Sequence, residues 1–249
     1  MPDPPFLRLG LIGDPVDHSK SPALLRALLD AAGLAGSYEA IRVCCGEAAR
    51  AIDDLRARGY HGLNVTTPLK EEAFVHAAWR DATALASRSA NTLVLTETIE
   101  GHNTDGIGAL GALSDAGLID FAGARVLVLG AGPTARAVVA ALSAADASVS
   151  IWNRTPDHAR SVAGALDAHV FAPSDRFEAV FAALPPAVAI DDAALIHAIR
   201  DAPIFVDANY GERATLAAQL DRPAFDGATM LEHSARASFA LWRTALGLG

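Results

Sequence analysis

The chain has 249 residues, 51% hydrophobic but only 6% aromatic, so its core is expected to be built from Ala, Leu and Val, in one large domain or two modest ones. A formal net charge of −9 without any basic run argues against a nucleic-acid partner, because phosphate backbones are held by clustered Lys and Arg. Met1 to Phe6 has no basic region leading into an apolar one and does not read as a signal peptide, and uncharged stretches such as Ala179 to Ile190 are too short or too broken by proline to cross a bilayer, so a soluble cytoplasmic protein is expected.

Leu9 to Ile12 reads as a first strand ending at Gly13. Ser21-Pro22 then supplies a helix N-cap and a proline at the first helical position, with leucines at 24, 25, 28 and 29 and Gly33 closing the helix. Tyr38 to Val43 is a second strand. Cys44 and Cys45 follow it; adjacent cysteines are a poor disulfide framework, so two buried free thiols are expected. Glu47 to Arg58 reads as a helix, and Gly62 to Thr66 and Thr92 to Thr96 as strands. Near Asn103–Asp105 a helix is expected to bridge two α/β units. Beyond it lie a strand at Val126 to Leu129, a helix at Thr134 to Ala144 and a strand at Val149 to Trp152. Weaker strands follow at Ala179 to Ala182 and Ile204 to Asp207, then one amphipathic helix from Thr229. Short strands alternating with longer helical patterns predict an α/β fold with mostly parallel strands.

Val126-Leu-Val-Leu-Gly-Ala-Gly-Pro-Thr-Ala135 is a buried strand running into a G-x-G-x-x-A turn and a helix. Gly130 permits the tight turn, Gly132 lets the backbone approach a pyrophosphate, and Ala135 allows close helix–sheet packing. Ala131, Pro133 and Thr134 complete a helix N-terminus that attracts anions. The motif alone is weak; the flanking strand and helix make a dinucleotide site the expected reading. The next strand ends in Asn153-Arg154-Thr155, with no carboxylate until Asp157. A guanidinium there suits a 2′-phosphate, so NADP is expected, although Arg154 is also compatible with an exposed strand cap.

Four polar clusters follow predicted strands. In Gly13-Asp-Pro-Val-Asp-His-Ser-Lys-Ser-Pro22, Ser19 and Ser21 stand at a helix start, where hydroxyls beside free N–H groups can hold a carboxylate. In Asn64-Val-Thr-Thr-Pro-Leu-Lys70, Pro68 is expected to start a helix carrying Lys70 in its first turn; alone, such a lysine reads as a solvated charge. Ser89-Ala-Asn-Thr-Leu93 places Asn91 before a strand, and Gly101-His-Asn-Thr-Asp-Gly-Ile-Gly108 places Asp105 at the start of the bridging helix. Either is also a plausible turn or cap residue.

With the four clusters in this order and spacing, the chain resembles the shikimate dehydrogenase family over nearly its whole length. The resemblance implies an N-terminal α/β substrate domain (1–104, completed by a C-terminal helix over 229–249), a Rossmann-type NADP-binding domain (105–228) and an active site in the cleft between them. It implies that Ser19 and Ser21 grip a substrate carboxylate, that Thr66 and Asn91 bind ring hydroxyls, and that Lys70 and Asp105 flank the reacting carbon, Asp105 also contacting substrate. The expected activity is NADPH-dependent interconversion of 3-dehydroshikimate and shikimate, with Lys70 as general acid/base and Asp105 as its partner. Expected partners are a small cyclic hydroxy acid and the nucleotide, in a monomer or homodimer, with neither nucleic acid nor membrane nor a metal.

The sequence departs from the family pattern in places. Ser234 stands where the family has a substrate-contacting Gln, beside His233; Ala182-Ala183-Leu184 replaces an Asn-x-Thr; Pro133 replaces a glycine of the phosphate turn; and His158 takes the place of a second Arg. Tyr210, Thr215 and Gly227 fit, with Tyr210 within reach of substrate or merely a half-buried aromatic. These changes leave a paralogue acting on quinate or an amino-substituted analogue as one alternative. A non-catalytic NADP sensor is another, which would have little reason to keep both Lys70 and Asp105.

Overall fold

A computed structural model describes residues 6–248; the segment Met1 to Pro5, on which most of the leader reading falls, lies outside them. The chain divides into two compact units, Met1–Thr104 with Ala235–Gly249, and Asp105–Ser234.

The first unit runs β1 (Leu7–Gly13), α1 (Ser21–Ala31), β2 (Gly36–Arg42), α2 (Ala48–Ala57), β3 (Gly62–Val65), α3 (Lys70–His76), β4 (Trp79–Arg80), α4 (Ala82–Ser87), β5 (Thr92–Leu95) and β6 (Ile99–His102). Its six-stranded sheet has the order β2-β1-β3-β5-β6-β4. β1 lies between β2 and β3, parallel to both, and is buried almost end to end, as a strand covered on both faces must be. One face packs Ile52, Leu55, Leu63 and Leu93 together; the other packs Leu9, Leu25 and Leu29 with Phe239 and Trp242. Trp242 is fully buried, and its indole N–H donates to the Leu93 carbonyl at 2.9 Å. Gly62 makes room for it: a Cβ there would lie 2.2 Å from Trp242 Nε1.

Mostly parallel pairing is expected and found; the exception is β5, which runs antiparallel to both β3 and β6. Three residues separate β5 from β6, enough for a hairpin and far too few for a parallel crossover. The predicted strand Thr92 to Thr96 is found, whereas β6 and β4 carry no alternating pattern that would announce them. Cys44 and Cys45 are exposed, not buried. β2 has already ended at Arg42, and the turn beyond it is organised by Glu72 of α3, which accepts from Gly46 N at 2.8 Å and Ala48 N at 3.2 Å. The Cys45 thiol donates to the same carboxylate, whose hydrogen bond and charge push its pKa up.

The second unit runs α5 (Asp105–Asp115), β7 (Arg125–Leu129), α6 (Pro133–Ala144), β8 (Ser148–Trp152), α7 (Pro156–Ala165), β9 (His169–Val170), β10 (Ala179–Ala182), α8 (Ala193–Asp201), β11 (Ile204–Asp207), α9 (Leu216–Gln219) and the start of α10 (Ala228–Ala245). Its five strands are all parallel, in the order β11-β10-β7-β8-β9. The chain winds outward from β7 in one direction, then returns and winds the other way from β10. In such a sheet ligands bind beyond the carboxyl ends of the strands, where the order reverses. Gly106 brings α5 against α6, since a Cβ there would meet Ala141 Cβ at 2.7 Å. The C-terminal helix starts at Ala228, one residue before its expected start, and the division between units falls within it, after Ser234.

Candidate active site

In the first unit the predicted polar residues gather at the ends of β1, β3 and β5. Helix α1 begins at Ser21 itself, and its cap position is Lys20, which makes no side-chain capping bond. The expected Ser21 N-cap is therefore displaced: a turn from Val16 to Ser19 already winds toward the helix, and the Ser19 hydroxyl accepts from Ser21 N at 3.2 Å. Ser19 is half-buried and Ser21 buried, so two hydroxyls flank the start of the helix, where N–H groups and the dipole favour an anion.

The Ser21 hydroxyl faces the phenol of Tyr38, which is completely buried; burial pushes its pKa far above the usual range, and Ser21 offsets only part of that. Tyr38 in turn donates to Asn64 Oδ1 at 2.8 Å. Asn64 Nδ2 reaches Ser238 Oγ of α10 at 3.0 Å, Thr92 Oγ1 at 3.2 Å and the Asn91 carbonyl at 3.3 Å. Thr92 and Ser238 hydroxyls meet at 2.7 Å. Asn91 holds Thr104 with both ends of its amide: Nδ2 donates to Thr104 Oγ1 at 3.1 Å, and Oδ1 accepts from Thr104 N at 2.8 Å. A continuous polar floor thus runs from Ser21 to Thr104.

Thr66 stands at its margin. Thr66 N donates to the Ile12 carbonyl at 2.9 Å, and the absence of a side chain at Gly13, whose Cβ would be 2.3 Å from Thr66 Cγ2, lets the two strand ends close up. Lys70 is half-buried at the first position of α3; Pro68 lies in the preceding turn and does not start the helix, contrary to the expectation. The Lys70 carbonyl accepts from Ala90 N at 2.9 Å, fixing α3 to the residue next to Asn91.

The second unit presents its turn largely through main chain. Gly130 has φ +114°, and a Cβ would lie 2.7 Å from the Ala183 carbonyl oxygen. Gly132 is the exposed cap of α6, with no side-chain capping bond and nothing within 4 Å of where a Cβ would stand. An approachable backbone at an open helix N-terminus fits a pyrophosphate, even though Pro133 at N1 offers no N–H. Arg136, one turn into α6, folds back to donate to the Ala131 carbonyl at 3.3 Å and brings a guanidinium to the turn; its single helical turn from Gly132 was the signal that could have found it. The Thr134 hydroxyl donates to Asp105 Oδ2 at 3.0 Å, so the carboxylate at the start of α5 is tied to the first turn of α6.

At the end of β8, Asn153 donates to the Thr155 carbonyl at 3.0 Å, while Arg154, Thr155 and His158 are exposed. Asp157, the nearest carboxylate, pairs with Arg160 on its own helix. Gly227 is obligatory, its Cβ position lying 2.0 Å from the Ala208 carbonyl oxygen. Tyr210 is half-buried after β11, and Ser234 is buried with its Cβ 3.1 Å from the Cβ position of Gly108. Asn209, unread in the sequence, donates to the Leu184 carbonyl at 2.9 Å, so a neighbouring amide ties down the segment where Asn-x-Thr is missing. It is braced by buried Asp207, whose Oδ1 accepts from Asn209 N and Nδ2, both at 2.9 Å.

Residues 11–93 match the shikimate dehydrogenase substrate binding domain and residues 112–184 the shikimate / quinate 5-dehydrogenase model. Shikimate dehydrogenase (NADP(+)) of Methanothrix thermoacetophila is 44% identical over 156 residues, which are 63% of this chain. The match spans only 57% of that relative's length. The crystal structure of shikimate 5-dehydrogenase from Thermus thermophilus in complex with shikimate is similar with TM-score 0.81 and 30% identity, over 97% of this chain and all of that one. The structure of that enzyme in complex with NADP(H) and shikimate is similar with TM-score 0.84 and 29% identity, over 96% and 94% of the two chains. By sequence in both halves and by fold across nearly its whole length, the chain belongs to the shikimate dehydrogenase family.

Proposed function

We propose that the protein is an NADP-dependent oxidoreductase interconverting 3-dehydroshikimate and shikimate. The observation that carries the proposal is the polar network from Tyr38, which Ser21 faces, through Asn64 and Asn91 to Thr104. A cyclic acid offers one carboxylate and several hydroxyls, and each needs a matched partner when removed from water. Ser19 and Ser21 suit the carboxylate, and Thr66 and Asn91, the latter held rigid by Thr104, suit the hydroxyls. Tyr210 and Ser234 complete the substrate contacts. Residues 1–104 with the helix over 229–249 take the substrate, and residues 105–228 the nucleotide.

The turn of Gly130, Ala131, Gly132, Pro133 and Thr134 receives the pyrophosphate, Gly227 keeps side chains clear, and Asn153, Arg154, Thr155 and His158 receive the adenosine ribose and its phosphate. The nicotinamide, when bound, supplies or takes the hydride. Lys70 moves a proton on or off the oxygen of the reacting carbon, and Asp105, itself held by Thr134, orients that exchange. A cytoplasmic location and a monomeric or homodimeric state accompany this reading. Of the described residues, no helix is long and apolar enough to cross a membrane.

Ser234 favours a second reading, action on quinate or an amino-substituted analogue, because a short hydroxyl leaves space where an amide is usual. The deciding assay follows reduced-nicotinamide absorbance with NADP⁺ or NAD⁺ against shikimate, quinate and an amino-substituted analogue. Highest kcat/KM with NADP⁺ and shikimate is expected. Preference for quinate or the analogue selects the second reading, and NADP⁺ binding without reduction by any cyclic acid leaves a sensor.

A further inference from the structure

His102 closes β6 one residue before the Asn103–Thr104 turn, and it is buried. Its Nδ1 lies 3.3 Å from Asp81 Oδ2 and its Nε2 3.4 Å from Glu100 Oε2. A neutral imidazole has one donor and one lone pair, so it would turn that lone pair on one of the two carboxylates; only the imidazolium satisfies both. These two carboxylates, at the cap of α4 and on β6 itself, are the charges acting on the ring. β4 contributes the Trp79 ring, with centroids 5.2 Å apart, β5 pairs Thr92 with His102, and α3 reaches the strand where Ala77 meets Gly101.

Asp81 is a hub. Its Oδ1 accepts from Ala84 N at 2.6 Å, capping α4, and its Oδ2 accepts from Asn103 N at 3.3 Å as well as facing His102. Asn103 is buried and donates to Ser89 Oγ at 2.9 Å and to the Ser89 carbonyl at 3.0 Å. The following residue is Thr104, which Asn91 grips.

We propose that His102 is a positioning residue for the reaction, an imidazolium clamped between Asp81 and Glu100 that sets the Asn103–Thr104 turn and so orients Asn91 toward a substrate hydroxyl. The inference rests on the activity proposed above. Burial pulls the pKa of the ring down, but the hydrogen bonds and charges of Asp81, then Glu100, outweigh it and hold it above the ordinary histidine value. The clamp is therefore complete below the ordinary value and is lost as pH rises through the raised one.

The test measures kcat and KM for shikimate with NADP⁺ across pH, with NADPH affinity by fluorescence, for the full-length protein and His102→Gln. In the unaltered protein KM is expected to rise on the alkaline side of the histidine transition. In His102→Gln it is expected to be about tenfold higher below that transition and flat through it, with NADPH affinity within about twofold. Glu100→Gln, which keeps the ring but removes one carboxylate, is expected to shift the KM transition to lower pH, and this outcome survives if His102→Gln fails to fold. A KM transition unchanged in either variant overturns the proposal. Nitrogen chemical shifts of the ring followed across pH are expected to report both nitrogens protonated below a transition that lies above the ordinary histidine value; a transition at or below that value overturns the clamp whatever the activity. Absence of turnover with every cyclic acid overturns the activity, and the positioning role with it, while the ring spectrum still reports whether the clamp exists.

Discussion

In the first unit the polar surface is made by side chains that other side chains hold: Asn91 is gripped by Thr104, and Asn64 by Tyr38 and Ser238. In the second, the turn after β7 is made by main chain, released at Gly130 by a positive φ and bared at Gly132. The contrast follows from what each is proposed to meet. A ring with distinct hydroxyls is told apart by directional donors and acceptors, whereas a pyrophosphate is the same on every nucleotide and needs only N–H groups and a dipole. The first kind of site should fail by losing atoms, the second by gaining them.

The largest effect is expected from Lys70→Ala. Turnover should fall by about 10²–10⁴-fold, the contribution of a proton-transfer group, with NADPH affinity unchanged. Fluorescence titration beside steady-state kinetics separates the two, and retained turnover would remove Lys70 from the chemistry. Next, Gly130→Ala adds a single methyl carbon that must find 2.7 Å from a carbonyl oxygen at φ +114°. Strain of about 1–3 kcal/mol should weaken NADPH binding by about 10–100-fold while shikimate affinity holds. Equal loss for both ligands would erase the contrast drawn above.

Ser238→Ala makes the opposite edit, deleting an oxygen that meets Asn64 and Thr92. Leaving those buried groups short of a partner should cost about 1–3 kcal/mol in thermal or denaturant unfolding and raise KM for shikimate several-fold, about 3–10-fold, with NADPH affinity intact. The smallest effect belongs to Asp207, which is buried with Oδ2 lacking a hydrogen-bond partner. Burial raises its pKa despite the Asn209 bonds. A carboxyl whose folded pKa exceeds its unfolded one contributes stability below the unfolded value and loses it as pH rises through the folded one. Asp207→Asn should accordingly raise Tm by about 2–4 °C at alkaline pH and by less in acid. A Tm gain independent of pH would mean Asp207 is not the titrating group.

What could be seen in the sequence was whatever is local. Val126 to Leu129 runs straight into Gly130 and Gly132, so strand, turn and cofactor class lie within ten residues. Leu9 to Ile12 and the leucines of α1 are equally self-contained. β6 was invisible because Ile99-Glu-Gly-His102 has neither alternation nor β-branched density; its partner β5 supplies the order. The network was invisible for a different reason. Asn64 finds Ser238 across 174 positions, and nothing about either residue alone marks it as half of a pair. The cysteines depart from expectation because composition alone says that thiols are buried, while the carboxylate of Glu72, 27 residues away from Cys45, holds their turn at the surface.

Because α10 begins with the second unit and ends with the first, the first unit is assembled from stretches on either side of the second. During synthesis the parallel sheet of the second unit can finish while the older one still has a gap over Gly62, waiting for Trp242 to leave the ribosome. The nascent chain can thus complete its second unit before its earlier-translated first unit can mature. A premature stop before Ala235 would leave that sheet permanently without its keystone.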